Sequence, residues 1–113
     1  AIADYKKALR LKPDYAEAYN ALAWLQATCH DEKYRDGKDA VANGNHAVEL
    51  APKECRYIDT LAAACAESGN FDKAVEWQTK AVELAPEEQK EEFRSRLELY
   101  KQGKPYHQER KKP

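Results

Sequence analysis

The sequence predicts an all-α fold of antiparallel helix pairs. Three observations carry that reading. The chain is rich in Ala, Leu, Glu and Lys and holds four Gly in 113 residues, a composition that favours helix. Its apolar residues recur at three- and four-residue spacing, the period of one helix face. One pattern also occurs three times: Ala1, Ala8, Pro13, then Ala40, Ala47, Pro52, then Ala74, Ala81, Pro86, each spaced by 7 and 5 residues. The copies end in ALRLKP, AVELAP and AVELAP. Pro52 and Pro86 lie 34 residues apart, the period of a helix–turn–helix repeat. Pro13 and Pro52 are 39 apart, and the five extra residues fall in the polar stretch 29–35, since both flanking halves keep register.

The elements follow in order. Residues 1–11 read as a helix with Ile2, Tyr5, Ala8 and Leu9 on one face, ended by Pro13. Asp14 is placed to cap the next helix, with Glu17 three residues on, and Tyr19, Leu22, Ala23 and Gln26 carry its pattern to about residue 28. After the irregular stretch 29–35, Asp36 caps a helix over 37–50 with Val41, Ala47, Val48 and Leu50 inward. The Asn43-Gly44-Asn45 run costs that helix about 1–2 kcal/mol relative to alanines, which marks its middle as the weakest point. A helix over 54–68 ends at Gly69, and Asn70 caps its partner over 71–84, with Val75, Ala81 and Val82 inward. Pro86 opens a last helix whose first turn holds Glu87 and Glu88, favourable at the positive helix end. Phe93, Leu97 and Tyr100 form its apolar stripe, while Lys90, Glu91, Arg94, Glu98 and Lys101 make the other face charged. Gly103 and Pro105 stop it, and the tail 104–113, with Arg110, Lys111 and Lys112 in a row, is expected to be disordered.

Composition excludes several classes of function. Charged residues make up 35% of the chain but nearly cancel to −1, leaving no general drive towards nucleic acid or anionic membrane. No run of 18 apolar residues exists to span a bilayer as a helix. Three cysteines without a framework spacing argue against a disulfide-stapled secreted domain, and a reducing, cytoplasmic setting is the expectation.

The repeated alanines, the closing prolines and the 34-residue period resemble the tetratricopeptide repeat. The segments KYRDG and YIDTLAAACAESGNFDKAVEWQTKAVELAP are similar to bacterial modules of that family with a lengthened intra-repeat loop. The resemblance implies a right-handed α-solenoid divided as follows: 1–13, the second helix of a truncated repeat; 14–52, a repeat with a lengthened loop; 53–86, a repeat; 87–103, a capping helix; 104–113, a basic tail. Three family positions depart from the pattern. The first-helix aromatic is Tyr19 in one copy and Ile58 in the other, the later aromatic is Gln26 or Cys65, and the second-helix aromatic is Tyr5, Gly44 or Gln78. Because Ala1 falls at the second helix of a repeat, the resemblance also implies a piece of a longer protein. Ile2, Tyr5 and Leu9 would then form an uncovered face able to join a second copy into a homo-oligomer.

The function implied is a non-catalytic scaffold that binds a protein or peptide partner in a groove lined by the first helices. The family's groove positions fall on Glu17, Asn20, Trp24 and Thr28, and on Arg56, Asp59, Ala63 and Glu67. Trp24 reads either as an interface anchor or as core, and Arg56, Asp59 and Glu67 either as groove or as an ion-paired helix face. The positions that clamp acidic C-termini in some relatives hold Asn20, Ala21, Trp24, Arg56 and Thr60, a poor match to that specialisation. Cys29-His30-Asp31-Glu32 invites a metal or nucleophile reading, but no CxxC, HExxH or phosphate loop accompanies it, and the stretch reads as a polar loop with an exposed histidine that can extend the binding surface. No metal, cofactor or catalytic residue is expected. Cys65 reads as a small buried hydrophobe, and Cys55 at a helix start as a thiol whose pKa the helix dipole lowers. The alternative function is a structural C-terminal cap or self-association element of a larger protein.

Overall fold

The computed structural model describes residues 2–109; Ala1 and the basic run Arg110, Lys111 and Lys112 lie outside the described residues. Among the described residues there are six α-helices, one 3-10 turn over Glu32–Tyr34 and no strand. The helices are α1 Ile2–Leu11, α2 Ala16–Thr28, α3 Gly37–Leu50, α4 Cys55–Glu67, α5 Phe71–Leu84 and α6 Glu87–Lys101. α2 packs on α3 and α4 on α5, while α3 and α2 both lie against α4; α6 closes on α5 and α1 on α2. This is an all-α helical-repeat fold.

Local chemistry sets most of the boundaries. Asp36 Oδ1 accepts the Asp39 N–H at 3.1 Å and Asn70 Oδ1 accepts the Lys73 N–H at 3.2 Å, so both act as N-caps. Asp14 does not. A turn closed by the Tyr15 N–H on Lys12 O at 3.1 Å carries the chain one residue further, and Tyr15 precedes the helix without a side-chain cap bond. Gly69 (φ 89°) and Gly103 (φ 71°) supply the left-handed residue after α4 and α6. At each, the following N–H bonds five residues back, Asn70 to Cys65 O and Lys104 to Leu99 O, both at 2.9 Å.

The repeated alanines are contact points between helices. Ala40, Ala47, Ala74 and Ala81 are wholly shielded, and the small side chain lets the paired helices approach. The middle of α3 is closely packed: Asn43 and Gly44 are buried, and a β-carbon on Gly44 would lie 3.2 Å from Leu61 Cα. Gly44 therefore admits Leu61 where the family pattern has an aromatic. Gln26 replaces another aromatic and ties α2 to α3, donating to Asp39 Oδ2 at 2.6 Å and accepting from Asn43 Nδ2 at 2.9 Å.

The core gathers around α4. Leu61, Ala62, Cys65 and Ala66 pack with Ala74 and Tyr100, and Cys55 and Ile58 pack with Ala81, Ala85 and Phe93. The stripe on α6 differs from the expected one: Phe93, Arg96 and Tyr100 are buried, and Leu97 is half-buried. The tail also differs. Residues 104–109 carry no helix or strand, yet Tyr106 packs against the α4 core and the Gln108 N–H donates to Thr28 O at 2.7 Å.

Candidate functional site

α2, α4 and α6 present one face, and the expected groove residues divide on it into two groups. Glu17, Asn20, Trp24, Arg56 and Glu67 are accessible in whole or part, whereas Thr28, Asp59 and Ala63 are buried beneath them. Asn20, Trp24, Arg56 and Asp59 converge, together with Thr60, Glu92 and Arg96, on an open cleft of about 220 Å³. Thr28 and Glu67 lie at the other end of the face, where residues 107 and 108 reach them.

At one end, Arg56 Nη2 donates to Glu17 Oε1 at 2.7 Å and the Tyr57 hydroxyl donates to the same oxygen at 2.8 Å. Those donors, Arg56 foremost, hold Glu17 below the usual carboxylate range. This bridge joins α2 to α4 while leaving both charged side chains about half exposed, at 50% and 52%. Asn20 Oδ1 is buried beside it without a hydrogen-bond partner.

The centre is organised by Arg96. Its Nε and Nη2 reach Asp59 Oδ1 and Oδ2, both at 3.0 Å, and its Nη1 reaches Glu92 at 3.2 Å. Gln78 Nε2 completes the network, donating to Asp59 Oδ1 at 2.9 Å and to Phe93 O at 3.0 Å. Burial pushes the Asp59 carboxyl up against the opposing pull of Arg96 and Gln78. Burial also works against the charge on Arg96, but Asp59 and Glu92 more than offset it and its pKa rises. The guanidinium carbon sits 5.5 Å from the Trp24 ring centre and 5.2 Å from those of Tyr106 and Phe93. Each such contact is worth about 0.5–2 kcal/mol, depending on desolvation. Trp24 is thus half-buried, with Ala27, Ala40, Ala63 and Ala64 beneath it and Tyr106 tilted against it at 5.8 Å between ring centres.

At the far end, Thr28 turns its hydroxyl onto Trp24 O at 2.7 Å and offers its carbonyl to Gln108. Glu67 lies 2.5 Å from His107 Nε2 through one oxygen and 3.4 Å from Arg35 Nε through the other. The loop residues invoked for other chemistry stand apart. His30 is exposed, His46 stacks on Tyr19 at 4.8 Å, and among the described residues no three His, Cys, Asp or Glu are grouped to hold a metal ion. Cys65 is buried, and burial pushes its thiol up to about 11. Cys55 contradicts the expectation of a lowered pKa. Burial raises it, with Glu54 and Asp59 adding to the effect, and these outweigh the helix start and Arg56.

Sequence reasoning missed Arg96, Tyr106 and His107. Arg96 had a signal: it lies three residues after Phe93 and four before Tyr100, on the apolar stripe itself. Tyr106 had a weaker one, an aromatic in a polar tail.

Of the expected self-association residues, Ile2, Tyr5 and Leu9 are half-buried on α1, which has no buried residue, and Leu11 is 78% exposed. No helix among the described residues is long and apolar enough to cross a membrane.

Residues 1–27 match a family model described as a TPR repeat, and residues 56–88 match one described as a tetratricopeptide repeat. The intervening stretch holds the lengthened connection between α2 and α3. No curated protein matches the chain. With two matched repeats on a fold of six helices and no strand among the described residues, the chain belongs to the tetratricopeptide-repeat proteins.

Proposed function

We propose that the α2–α4–α6 face binds an extended segment of a protein partner, anchored in the cleft between Asn20, Trp24 and Arg56. Tetratricopeptide repeats generally mediate protein–protein interactions and are typically non-catalytic scaffolds. The observation that carries the proposal is the cleft's make-up: a half-buried Trp and a half-exposed Arg, the residue types that dominate interfaces, over a rigid floor of shielded alanines. Its volume of about 220 Å³ falls below the roughly 300–1,000 Å³ of small-molecule sites, so it suits one side chain of a longer segment. Rigid helices order this surface beforehand and leave the partner segment to bear the ordering entropy.

A displayed library of random peptides, selected on the full chain, tests this. Enriched peptides should lose roughly tenfold or more in affinity on Trp24→Ala or Arg56→Glu, a cost of about 1.4 kcal/mol, in variants that keep their helical circular dichroism. Peptides indifferent to both substitutions would place binding elsewhere and overturn the reading.

A second reading, a structural end piece that associates through α1, is supported by the half-exposed Ile2, Tyr5 and Leu9 beside Leu11. It requires a mass in solution that rises with concentration; a constant monomer contradicts it.

A further inference from the structure

Gly103 reverses the chain after α6, and residues 104–108 run back across the C-terminal ends of α4 and α2. Five residues reach at most about 17 Å, close to two helix spacings of about 8–10 Å each, so the crossing is nearly straight. Tyr106 packs against both the Trp24 ring and the Arg96 guanidinium, His107 meets Glu67, and the Gln108 N–H meets Thr28 O. An aromatic anchor, a polar side chain on a carboxylate and a main-chain hydrogen bond are the means by which a groove holds an extended peptide.

Two observations set this strap apart from the core. Tyr106 is only half-buried, and an open cleft of about 480 Å³ runs along it, lined by Glu88, Glu91, Glu92 and Leu99. Among the described residues, the Gln108 bond is the one main-chain hydrogen bond from 105–109 to the helices.

We propose that residues 104–109 are a built-in, displaceable ligand of the groove. The partner is an extended protein segment of the same chemistry, an aromatic side chain followed directly by a basic one. The proposal rests on the groove reading above and adds both its specificity and its regulation. Trp24 and Arg96 take the ring, and Glu67, held from its other side by Arg35, takes the basic group. Lys or Arg at that place sets a full positive charge on a longer side chain against Glu67, and so favours the incoming segment over the strap.

A fluorescein-labelled peptide with the sequence of residues 103–109 tests this by anisotropy against full-length wild type and full-length Tyr106→Ala/His107→Ala. The double variant should bind it. Wild type should bind roughly tenfold more weakly, because a tethered copy at about 1 mM effective concentration competes with a ligand of about 0.1 mM affinity. A peptide carrying His107→Arg should bind more tightly, and Trp24→Ala added to the double variant should abolish binding. Equal binding by wild type and double variant, or no binding to a folded double variant, overturns the strap. A double variant that loses its helical circular dichroism also overturns it, since the segment would then be part of the core. Library peptides that depend on Trp24 while the strap peptide binds neither chain sink the strap and leave the groove; failure of both sinks the groove itself.

Discussion

A β-carbon on Gly37 would sit 2.7 Å from Ser68 N and 2.9 Å from Glu67 C, and neither main-chain atom can swing aside. Gly37→Ala should therefore force α3 away from the end of α4 and cost about 1–3 kcal/mol, read as a lower midpoint in urea at unchanged slope. An unchanged midpoint would show that the ends of α3 and α4 can part by a methyl group at no cost. Arg96 poses the opposite case, a charge that the core needs. Arg96→Leu strands the Asp59 carboxylate at 6% exposure and should cost about 3–5 kcal/mol, while adding Asp59→Leu should recover part of that loss. A double variant no better than the single one would mean that Gln78 alone satisfies Asp59. The repeated alanines and the caps at Asp36 and Asn70 were legible in the sequence because each acts on neighbours a few residues away or at a fixed family spacing. The Asp59–Arg96 pair joins helices far apart in the chain, and Asp14 lost its capping role to a turn whose closing bond no periodicity displays.

Helices differ in how firmly they are held. α4 is buried along most of its length, whereas α1 buries no residue. Native-state hydrogen exchange should find the α4 amides slowest and the α1 amides fastest, with the middle of α3 protected by Leu61 and Gln26. Fast exchange around Gly44 would restore the expectation of a weak centre drawn from propensity alone. α2 and α4 are further joined by Glu17, whose pKa lies below its ordinary 4.5 in the folded chain. A depressed carboxylate contributes stability above its unfolded pKa and loses it as pH falls through the folded value. Wild type should thus lose slightly more stability than Glu17→Gln between about pH 5 and pH 3, by under about 1 kcal/mol because the pair is solvent-screened. Parallel acid profiles would show the bridge to be without weight. The limits of α5 were readable in full, since Gly69-Asn70 and Pro86 punctuate both ends. The strap was not: a polar, proline-containing tail carries no period, and its order comes from Trp24, Arg96 and Glu67 on other helices.

The described chain has a radius of gyration of 13.3 Å, the value of about 13 Å expected for a compact domain of this length. A helical repeat this short is packed on itself, and the cleft at Trp24 and the segment 104–109 share the α2–α4–α6 face. On the proposed reading, what enters beside Trp24 must accommodate or expel Tyr106. The chain offers an internal control, since Trp77 lies on α5 beneath Lys80, outside the groove. Nitrogen–proton spectra of the full-length chain, titrated with a library-selected peptide, test the account most directly. The Trp24 indole N–H and the Gln108 amide should shift together while the Trp77 indole N–H stays in place. Movement of Trp77 with Trp24 unmoved would contradict the account, placing recognition on the other side of the molecule.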